Sequence, residues 1–387
     1  MTIAPEDHRG RLRGLALRMV AALAALGAPS AAAEAPAPPP STSEGARAAP
    51  ERGEEESSRI VVPVVMYSPE THLGFGGFVV QFLKLGPRAP STRPSSLAFV
   101  TLLTTRKQAI FEVHPDFELD QGRTRISGKI EAQKYPDSFW GIGARVPRDA
   151  EERYERRRFR IRGGTLHRLG GSLYAGLSSD VMLFSATYQD PTGLFATTEV
   201  PGERGGWTPG FGPVVLHDTR DSAVSARTGS LLGGTFLWFD PSLGSTLRFG
   251  KLQLDARRYF PVGASSAVAL RAFGEAGIGT PPFYHLAMLG GDELLRGYFM
   301  GRYRARSLAA LEGEYRFPLI WRFGGVGFAG AGAVADNPGD LPSAPVRWAV
   351  GGGLRVALST RERLNLRLDV GVGPDTMGVY FTAREAF

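Results

Sequence analysis

The sequence of 387 residues contains no cysteine. This absence excludes disulfide bonds, a cysteine nucleophile, a lipid anchor on cysteine, and zinc or iron–sulfur sites built on cysteine. Histidine is also scarce, and its 6 residues are scattered without the spacing of metal ligands. We therefore expect neither a metal ion nor another cofactor.

Long hydrophobic runs are missing beyond the N-terminus, because no stretch of about 18 apolar residues occurs after residue 60. A membrane-spanning helix is therefore not expected. Neither sign of charge dominates, since 45 basic residues stand against 38 acidic ones for a net charge of +7. This small excess is weak support for nucleic acid, and we expect no such partner. The 50 glycines and 10% aromatic residues instead favour an all-β chain with many turns.

The N-terminal region has the composition of an export signal followed by a linker. Arginines precede a short apolar run at residues 19–28, and small residues follow at 31–33. This order is typical of a secretory signal peptide, which we predict over residues 1–33. Residues 34–58 are rich in proline, alanine and glutamate, and they predict a disordered periplasmic linker. Residues 59–387 then form the predicted barrel domain.

Apolar and polar residues alternate along most of this domain. In residues 311–319 (LEGEYRFPL), Leu311 and Tyr315 alternate with Glu312, Glu314 and Arg316. Residues 364–370 (LNLRLDV) repeat the pattern, with leucines at every second position. Because successive side chains of a strand point to opposite faces, each such segment predicts a strand with one apolar face.

Alternation alone also fits a soluble sandwich, but three features favour an outer-membrane barrel. The signal peptide exports the chain, the segments are long enough to cross a bilayer when tilted, and the polar faces carry several charges each. We count 16 segments, which include residues 122–134, 151–166, 170–184 and 376–387. The sequence therefore predicts an all-β fold, a 16-stranded antiparallel transmembrane β-barrel. Its tryptophans suit the two membrane interfaces.

Residues 289–304 (LGGDELLRGYFMGRYR) resemble the signature of the sixth extracellular loop in the BamA/TamA outer-membrane assembly factors. That family has a V/L-R-G-F/Y motif between its eleventh and twelfth strands. The matching residues here form what we call the loop tetrad: Leu295, Arg296, Gly297 and Tyr298. Residues 217–230 (HDTRDSAVSARTGS) are similar to another segment of the superfamily, and the resemblance covers nearly all of residues 60–387. The chain resembles the stand-alone barrels of the bacterial surface-antigen type, which lack POTRA repeats.

The resemblance implies a non-enzymatic barrel that takes part in protein insertion or export, or a pore that works with a partner. The partners it implies are the lipid bilayer of the outer membrane, the insertion machinery during biogenesis, and a separate periplasmic or client protein. A passive channel or structural barrel is the alternative. An outer-membrane lipase or protease is a weaker one, because His114, His217 and Ser222 offer the residue types but no nucleophile elbow is present.

Two other motifs favour structural interpretations. Residues 325–330 match G-x-G-x-x-G, but they lack the helix and the later acidic residue that a dinucleotide site requires. Residues 154–162 (YERRRFRIR) place three arginines on one strand face, which favours a cationic lumen wall over a nucleic-acid surface.

The resemblance also implies that the loop tetrad folds back into the lumen. An arginine enclosed there needs a carboxylate, because an unpaired buried charge is costly. The family's usual acidic partner is replaced by Gly330, so we expect Glu314 as the first partner of Arg296 and Glu312 as the reserve. At the other end of the domain, Phe381 and Phe387 are the expected terminal insertion signal, although Glu385 occupies the position where an aromatic residue is usual.

Overall fold

The structure is a computed structural model that describes residues 59–83, 85, 95–359, 363–383 and 385–387. The predicted signal peptide (residues 1–33) and periplasmic linker (residues 34–58) lie outside the described residues, so both stay predictions. The described part begins where the predicted barrel domain, residues 59–387, begins.

Sixteen strands form one closed antiparallel barrel, and two short strands pair only with each other. The strands are β1 (Arg59–Ser68), β2 (His72–Leu83), β3 (Ser95–Thr104), β4 (Ala109–Leu119), β5 (Thr124–Phe139), β6 (Glu152–Gly170), β7 (Leu173–Tyr188), β8 (Gly206–Asp218), β9 (Gly229–Phe239), β10 (Phe249–Val262), β11 (Ser266–Gly279), β12 (Ala287–Leu289), β13 (Tyr303–Ala305), β14 (Ser307–Pro318), β15 (Phe323–Ala335), β16 (Arg347–Ser359), β17 (Leu364–Gly373) and β18 (Thr376–Ala383). β12 and β13 are the separate pair, so β11 pairs with β14 in the wall, and β18 pairs with β1 to close the barrel. The predicted fold class is confirmed.

Helical structure is confined to short segments of the connections. One turn of α-helix, α1 (Leu194–Thr197), lies between β7 and β8. Three 3-10 turns cover Asp120–Gly122, Pro241–Leu243 and Pro338–Ser343. Among the described residues, no helix has the length and apolar character needed to cross a membrane.

The two faces of the wall differ sharply in exposure, as β14 illustrates. Leu311 is 65% exposed, whereas its neighbour Glu312 and the next residue on the same face, Glu314, are buried. Buried charges recur on this face in other strands, where they include Arg271, Arg355, Arg367 and Asp369. Because charged side chains are costly in hydrocarbon, this face lines the lumen and the apolar face contacts lipid.

Three strands are longer than the sequence pattern predicts. β5, β6 and β7 run on to Phe139, Gly170 and Tyr188, whereas alternation predicts ends near 134, 166 and 184. In the additional residues at the ends of β5 and β7, the outward positions are polar, for example Ser138 and Thr187. The sequence therefore no longer alternates between apolar and polar residues there, although the backbone pairing continues.

The prediction for the end of the chain was wrong. The last strand is predicted over residues 376–387, but β18 ends at Ala383 and residues 385–387 turn into the lumen. Glu385 there accepts a hydrogen bond from Arg355 at 2.7 Å. Arg316 donates to the backbone oxygen of Phe387 at 2.8 Å, and the Phe387 ring lies in a buried cluster with Tyr259. The Phe387 side chain is therefore not on the lipid face of the last strand.

One tryptophan also departs from the predicted interface positions. Trp140 is buried just after β5, with its ring centroid 5.1 Å from that of Phe299 in the long connection. Trp207, Trp321 and Trp348 are exposed on the outside, as expected for interface residues. The difference arises because residues after β5 fold over the long connection instead of facing lipid.

The two faces of β10 give a direct test of the membrane assignment. Leu254→Arg should weaken the folded barrel by about 2–4 kcal/mol, because it places a charge against hydrocarbon. Gln253→Leu, one residue away on the lumenal face, should change the free energy of unfolding by less than about 1 kcal/mol. Urea titration of the barrel in vesicles measures both, and equal losses would show that the faces are assigned wrongly.

Candidate functional site

The connection between β11 and β14 lies inside the barrel. Its hairpin of β12 and β13 is closed by register pairs from Ala287↔Ala305 to Leu289↔Tyr303. Apolar side chains of the connection pack on the inner wall of β14, β15 and β16 in one buried cluster, whose members include Leu289, Leu294, Leu295, Tyr298, Leu308, Val334 and Ala349. Burial of these side chains holds the connection in the lumen. We call residues 280–306 the lumenal loop.

The guanidinium of Arg296 is the most enclosed charge of this loop. Arg296 is 1% exposed, and it donates hydrogen bonds to Glu314 of β14 and, at 2.6 Å, to Asp369 of β17. Its carbon Cζ also lies 3.6 Å from the centroid of the Phe328 ring on β15. One side chain thus contacts three strands of the wall, and its charge is balanced by two carboxylates. The structure therefore brings Arg296 together with Glu314, the partner expected first.

Further charges extend this contact along the wall. Arg316 donates to the second oxygen of Glu314 at 2.8 Å, and Arg355 bridges Asp369 at 2.5 Å and Glu385 at 2.7 Å. Cations and anions therefore alternate through one set, which we call the lumenal charge network: Arg296, Glu314, Arg316, Arg355, Asp369 and Glu385. No member of a buried network can be removed cheaply, because its partners would be left as uncompensated charges.

Glu312, which the sequence predicts as the reserve partner of Arg296, binds the loop backbone instead of the Arg296 guanidinium. Its oxygen accepts a hydrogen bond from the backbone nitrogen of Leu295 at 2.8 Å, and its other oxygen lies 3.9 Å from Arg271. Glu312 thus positions the loop backbone one residue before Arg296. Asp369 takes the place of second carboxylate instead. The alternation of residues 364–370 places Asp369 on the lumenal face. No local sequence pattern, however, links Asp369 to Arg296, which lies 73 positions earlier in the chain.

Two glycines permit the loop backbone to touch the wall. Gly297 has a φ of 121°, a conformation that residues with a side chain rarely adopt. A Cβ atom on Gly371 of β17 would lie 2.3 Å from the backbone oxygen of Arg296. The loop tetrad therefore packs on β17 by backbone against backbone, which fixes the depth of Arg296 in the lumen.

The loop tetrad is also bound to the last strand. Tyr380 of β18 accepts a hydrogen bond from the nitrogen of Gly297 at 3.0 Å, and Thr376 donates to the oxygen of Gly297 at 2.5 Å. The Tyr298 hydroxyl donates to the backbone oxygen of Trp348 at 3.2 Å. The tetrad thus makes polar contacts with β14, β16, β17 and β18.

The lumenal loop also reaches the first strand pair. The nitrogen of Met300 donates to Glu70, in the turn between β1 and β2, at 2.8 Å. Burial raises the pKa of the Glu70 carboxyl above its usual value. The loop is therefore bound on both sides of the junction between β1 and β18, which we call the seam. Among the described residues, the seam has a single register pair, Tyr67↔Phe381.

The two predicted insertion-signal residues have different surroundings. Phe381 lies on β18 at the seam, opposite Tyr67 and next to Leu368 of β17. Phe387 lies inside the lumen, beyond the last strand. An insertion signal at these residues stays a prediction.

The candidate enzyme residues are not brought together. His217 exchanges a hydrogen bond with Ser172 at 2.8 Å, while the Ser222 oxygen accepts from the nitrogen of Val224 at 3.2 Å. His114 is paired with Glu112 on β4 at 2.9 Å. In the described part of the chain, no cluster of three or more possible metal ligands occurs.

The two other sequence motifs lie in strands. Residues 325–330 are part of β15, which continues without a turn into a helix. The three arginines on one face of residues 154–162, Arg158, Arg160 and Arg162, point into the lumen, where Arg158 pairs with Glu131 at 2.6 Å and Arg160 with Asp180 at 2.5 Å. Both arrangements are structural.

The fold and the lumenal loop define a class of protein, the 16-stranded outer-membrane barrel with a long connection bound inside its lumen. A model of the Omp85 superfamily domain matches residues 113–381. This match covers more than half of the chain, which therefore belongs to the Omp85 superfamily. Members of this family are insertion or transport barrels, and the fold and the family point to the bacterial outer membrane. No curated protein sequence matches the chain.

Solved structures agree at the level of the fold. BamA from Haemophilus ducreyi lacking POTRA domains 1-3 is 14% identical, with a TM-score of 0.57, and the match covers 86% of this chain and 71% of that one. CdiB from Escherichia coli is 14% identical, with a TM-score of 0.58, and CdiB from Acinetobacter baumannii is 13% identical, with a TM-score of 0.53. The chain is covered to 84% in both cases and spans 62% and 59% of the two CdiB chains.

Removal of either side of the Arg296–Glu314 contact should destabilise the barrel. Arg296→Ala and Glu314→Ala should each lower the free energy of unfolding by about 3–5 kcal/mol, since each leaves a buried charge uncompensated. The double variant should be little worse than either single one, because the shared contact is lost only once. Urea titration in vesicles measures this coupling, with Arg248→Ala, at an exposed ion pair, as the control that costs about 0–1 kcal/mol. Fully additive losses would contradict the contact.

Substitution of the wall glycine tests the backbone contact separately. Gly371→Ala should expel the loop tetrad from β17 and make the lumenal loop accessible to trypsin at Arg296 and Arg302. Gly327→Ala on β15 is the matched control, because a Cβ there meets no atom within 4 Å. Mass spectrometry of the fragments reports the cleavage sites. Equal protection of the loop in both variants would refute the close approach.

Proposed function

We propose that this chain is an assembly or translocation barrel that inserts protein clients into the outer membrane or exports them across it. The observation that carries the proposal is the short pairing at the seam. β10 and β11 pair continuously from Phe249 to Val262, whereas the described part of the seam has one register pair. Because backbone hydrogen bonds between strands hold a barrel closed, the seam is the junction that opens at the lowest cost.

The lumenal loop acts in this proposal as a clasp across the seam. It is bound to Glu70 on the side of β1 and to Tyr380 on the side of β18. Opening of the seam must break at least one of these contacts, so the position of the loop and the state of the seam are coupled. A client strand that pairs with the edge of β1 or β18 replaces the backbone hydrogen bonds that the opened edges lose.

The surroundings of the barrel follow from this function. The lipid bilayer of the outer membrane is its solvent, and the general insertion machinery places it there. A separate periplasmic protein delivers clients to the barrel in this proposal. The barrel works by binding and opening and carries out no chemical reaction.

A disulfide across the seam tests the function directly. Tyr67→Cys with Phe381→Cys joins register partners, whose Cα separation suits a disulfide, in a chain without other cysteines. Cells that produce only this variant should accumulate less of the client proteins in the outer membrane or medium under oxidising conditions. Reduction should restore them. Quantitative proteomics of both fractions is the measurement.

The control pair is Phe236→Cys with Leu252→Cys, which joins β9 to β10 and leaves the seam free. This variant should keep the protein composition of the unmodified strain when oxidised. Identical protein profiles for the locked seam and the control would rule out the lateral route.

A passive channel is the second candidate, and one observation favours it. A polar cavity of about 140 Å³ lies on the opposite side of the lumen, lined by Arg160, Arg162, Ser178 and Lys251 among others. Water and small ions can occupy such a space. Steady single-channel conductance that the seam disulfide leaves unchanged, together with an unaltered protein profile, would favour the channel over the assembly barrel.

A further inference from the structure

The outer wall of β3 to β7 carries two parallel rows of side chains. The strand register makes each row a series of cross-strand neighbours. The first row runs through Thr101, Phe111, Ala132, Phe159 and Leu183. The second row lies two residues further along each strand and runs through Leu103, Ala109, Lys134, Arg157 and Ser185. The two rows are about 7 Å apart along the strands.

The first row contains a gap. Ala132 stands between two exposed aromatic residues, Phe111 and Phe159, and its small side chain leaves a groove between their rings. The groove has a volume of about 560 Å³, and its lining is almost entirely apolar. Leu103 and Leu183 complete its exposed apolar sides. A hydrocarbon chain is the natural occupant of such a groove on a surface that faces lipid.

The second row places two cations directly opposite each other. Lys134 and Arg157 are register partners on the same outward face, an arrangement that destabilises a strand pair by charge repulsion. Their side chains are 51% and 70% exposed. Lys134 Nζ and Arg157 Nε each lie 3.3 Å from a carboxylate oxygen of Glu155. The three side chains together therefore carry one net positive charge. The pair therefore offers an incompletely neutralised site for an anion.

These cations stand where the apolar band of the wall ends. Beyond them, the outward positions of β5, β6 and β7 are occupied by Pro136, Glu155 and Thr187, and then by Ser138 and Arg153. On the other side lies the apolar first row. The groove is thus at the depth of acyl chains, and the cations are at the depth of lipid headgroups, where long basic side chains extend towards the interface.

We propose that this face of the barrel binds a lipid with an anionic phosphate headgroup. One acyl chain lies in the groove beside Ala132, and the phosphate accepts hydrogen bonds from Lys134 and Arg157. The phosphate balances the opposed cations, and charge-assisted hydrogen bonds give the site its preference for phosphate. This site is separate from the lumenal loop and from the seam, so it stands independently of the proposed function.

Native mass spectrometry of the detergent-solubilised barrel tests the site with matched probes. Dioleoyl phosphatidic acid should bind as one retained molecule, while dioleoyl glycerol, with the same chains but no phosphate, should bind much more weakly. Lys134→Gln with Arg157→Gln should weaken binding of phosphatidic acid about 25-fold, or about fivefold per cation. Ala132→Leu should also weaken it, because it fills the groove and leaves both cations in place.

Arg258→Gln is the control, since Arg258 is an exposed outward cation on β10, beside Leu270. It should bind phosphatidic acid as the unmodified barrel does. All variants should keep the heat-dependent gel mobility of a closed barrel, because every changed side chain points outward. Three results would each overturn the proposal: unchanged binding in the double variant, equal retention of dioleoyl glycerol, or displacement of the lipid by an equal concentration of inorganic phosphate.

Discussion

A buried guanidinium requires carboxylate partners, and the interior of this barrel is arranged around that requirement. Arg296 forms ion pairs with Glu314 on one strand and with Asp369 on another. Each carboxylate then needs further cations, which Arg316 and Arg355 supply. The network therefore connects β14, β16 and β17 through a loop residue. The path of the lumenal loop, the charges of the inner wall and the turn at the end of the chain all satisfy one electrostatic condition.

The contacts of the loop tetrad are concentrated on one half of the wall. The tetrad is bound to β14 through β18, and Met300, shortly after it, reaches the turn after β1. The seam lies within this half. A loop held by buried charges on one side and by single hydrogen bonds next to the seam has contacts of unequal strength, so the weaker contacts yield first. In the proposed opening of the seam, Arg296 therefore keeps its carboxylates.

Much of this architecture could be predicted from the sequence, because a strand in lipid imposes a strict period of two. That period predicted 16 strands, and it placed Glu314 on the lumenal face. It could not reveal Asp369 as a partner of Arg296, since contacts between distant strands leave no local pattern. It also misjudged the ends of β5 and β7, whose outward positions are polar and extend past the apolar band, and residues 385–387. The ion pair that draws Glu385 inward is a tertiary interaction, which alternation cannot encode.

The inward turn after β18 has a consequence for how the last strand is held. Residues 385–387 lie within the wall, bound to Arg316 of β14 and Arg355 of β16. These strands are not sheet neighbours of β18, which pairs with β17 and β1. The segment after β18 is therefore tied to a second part of the wall by side chains. If the pairing of β18 with β1 is lost, the last strand keeps this anchor in addition to its pairing with β17.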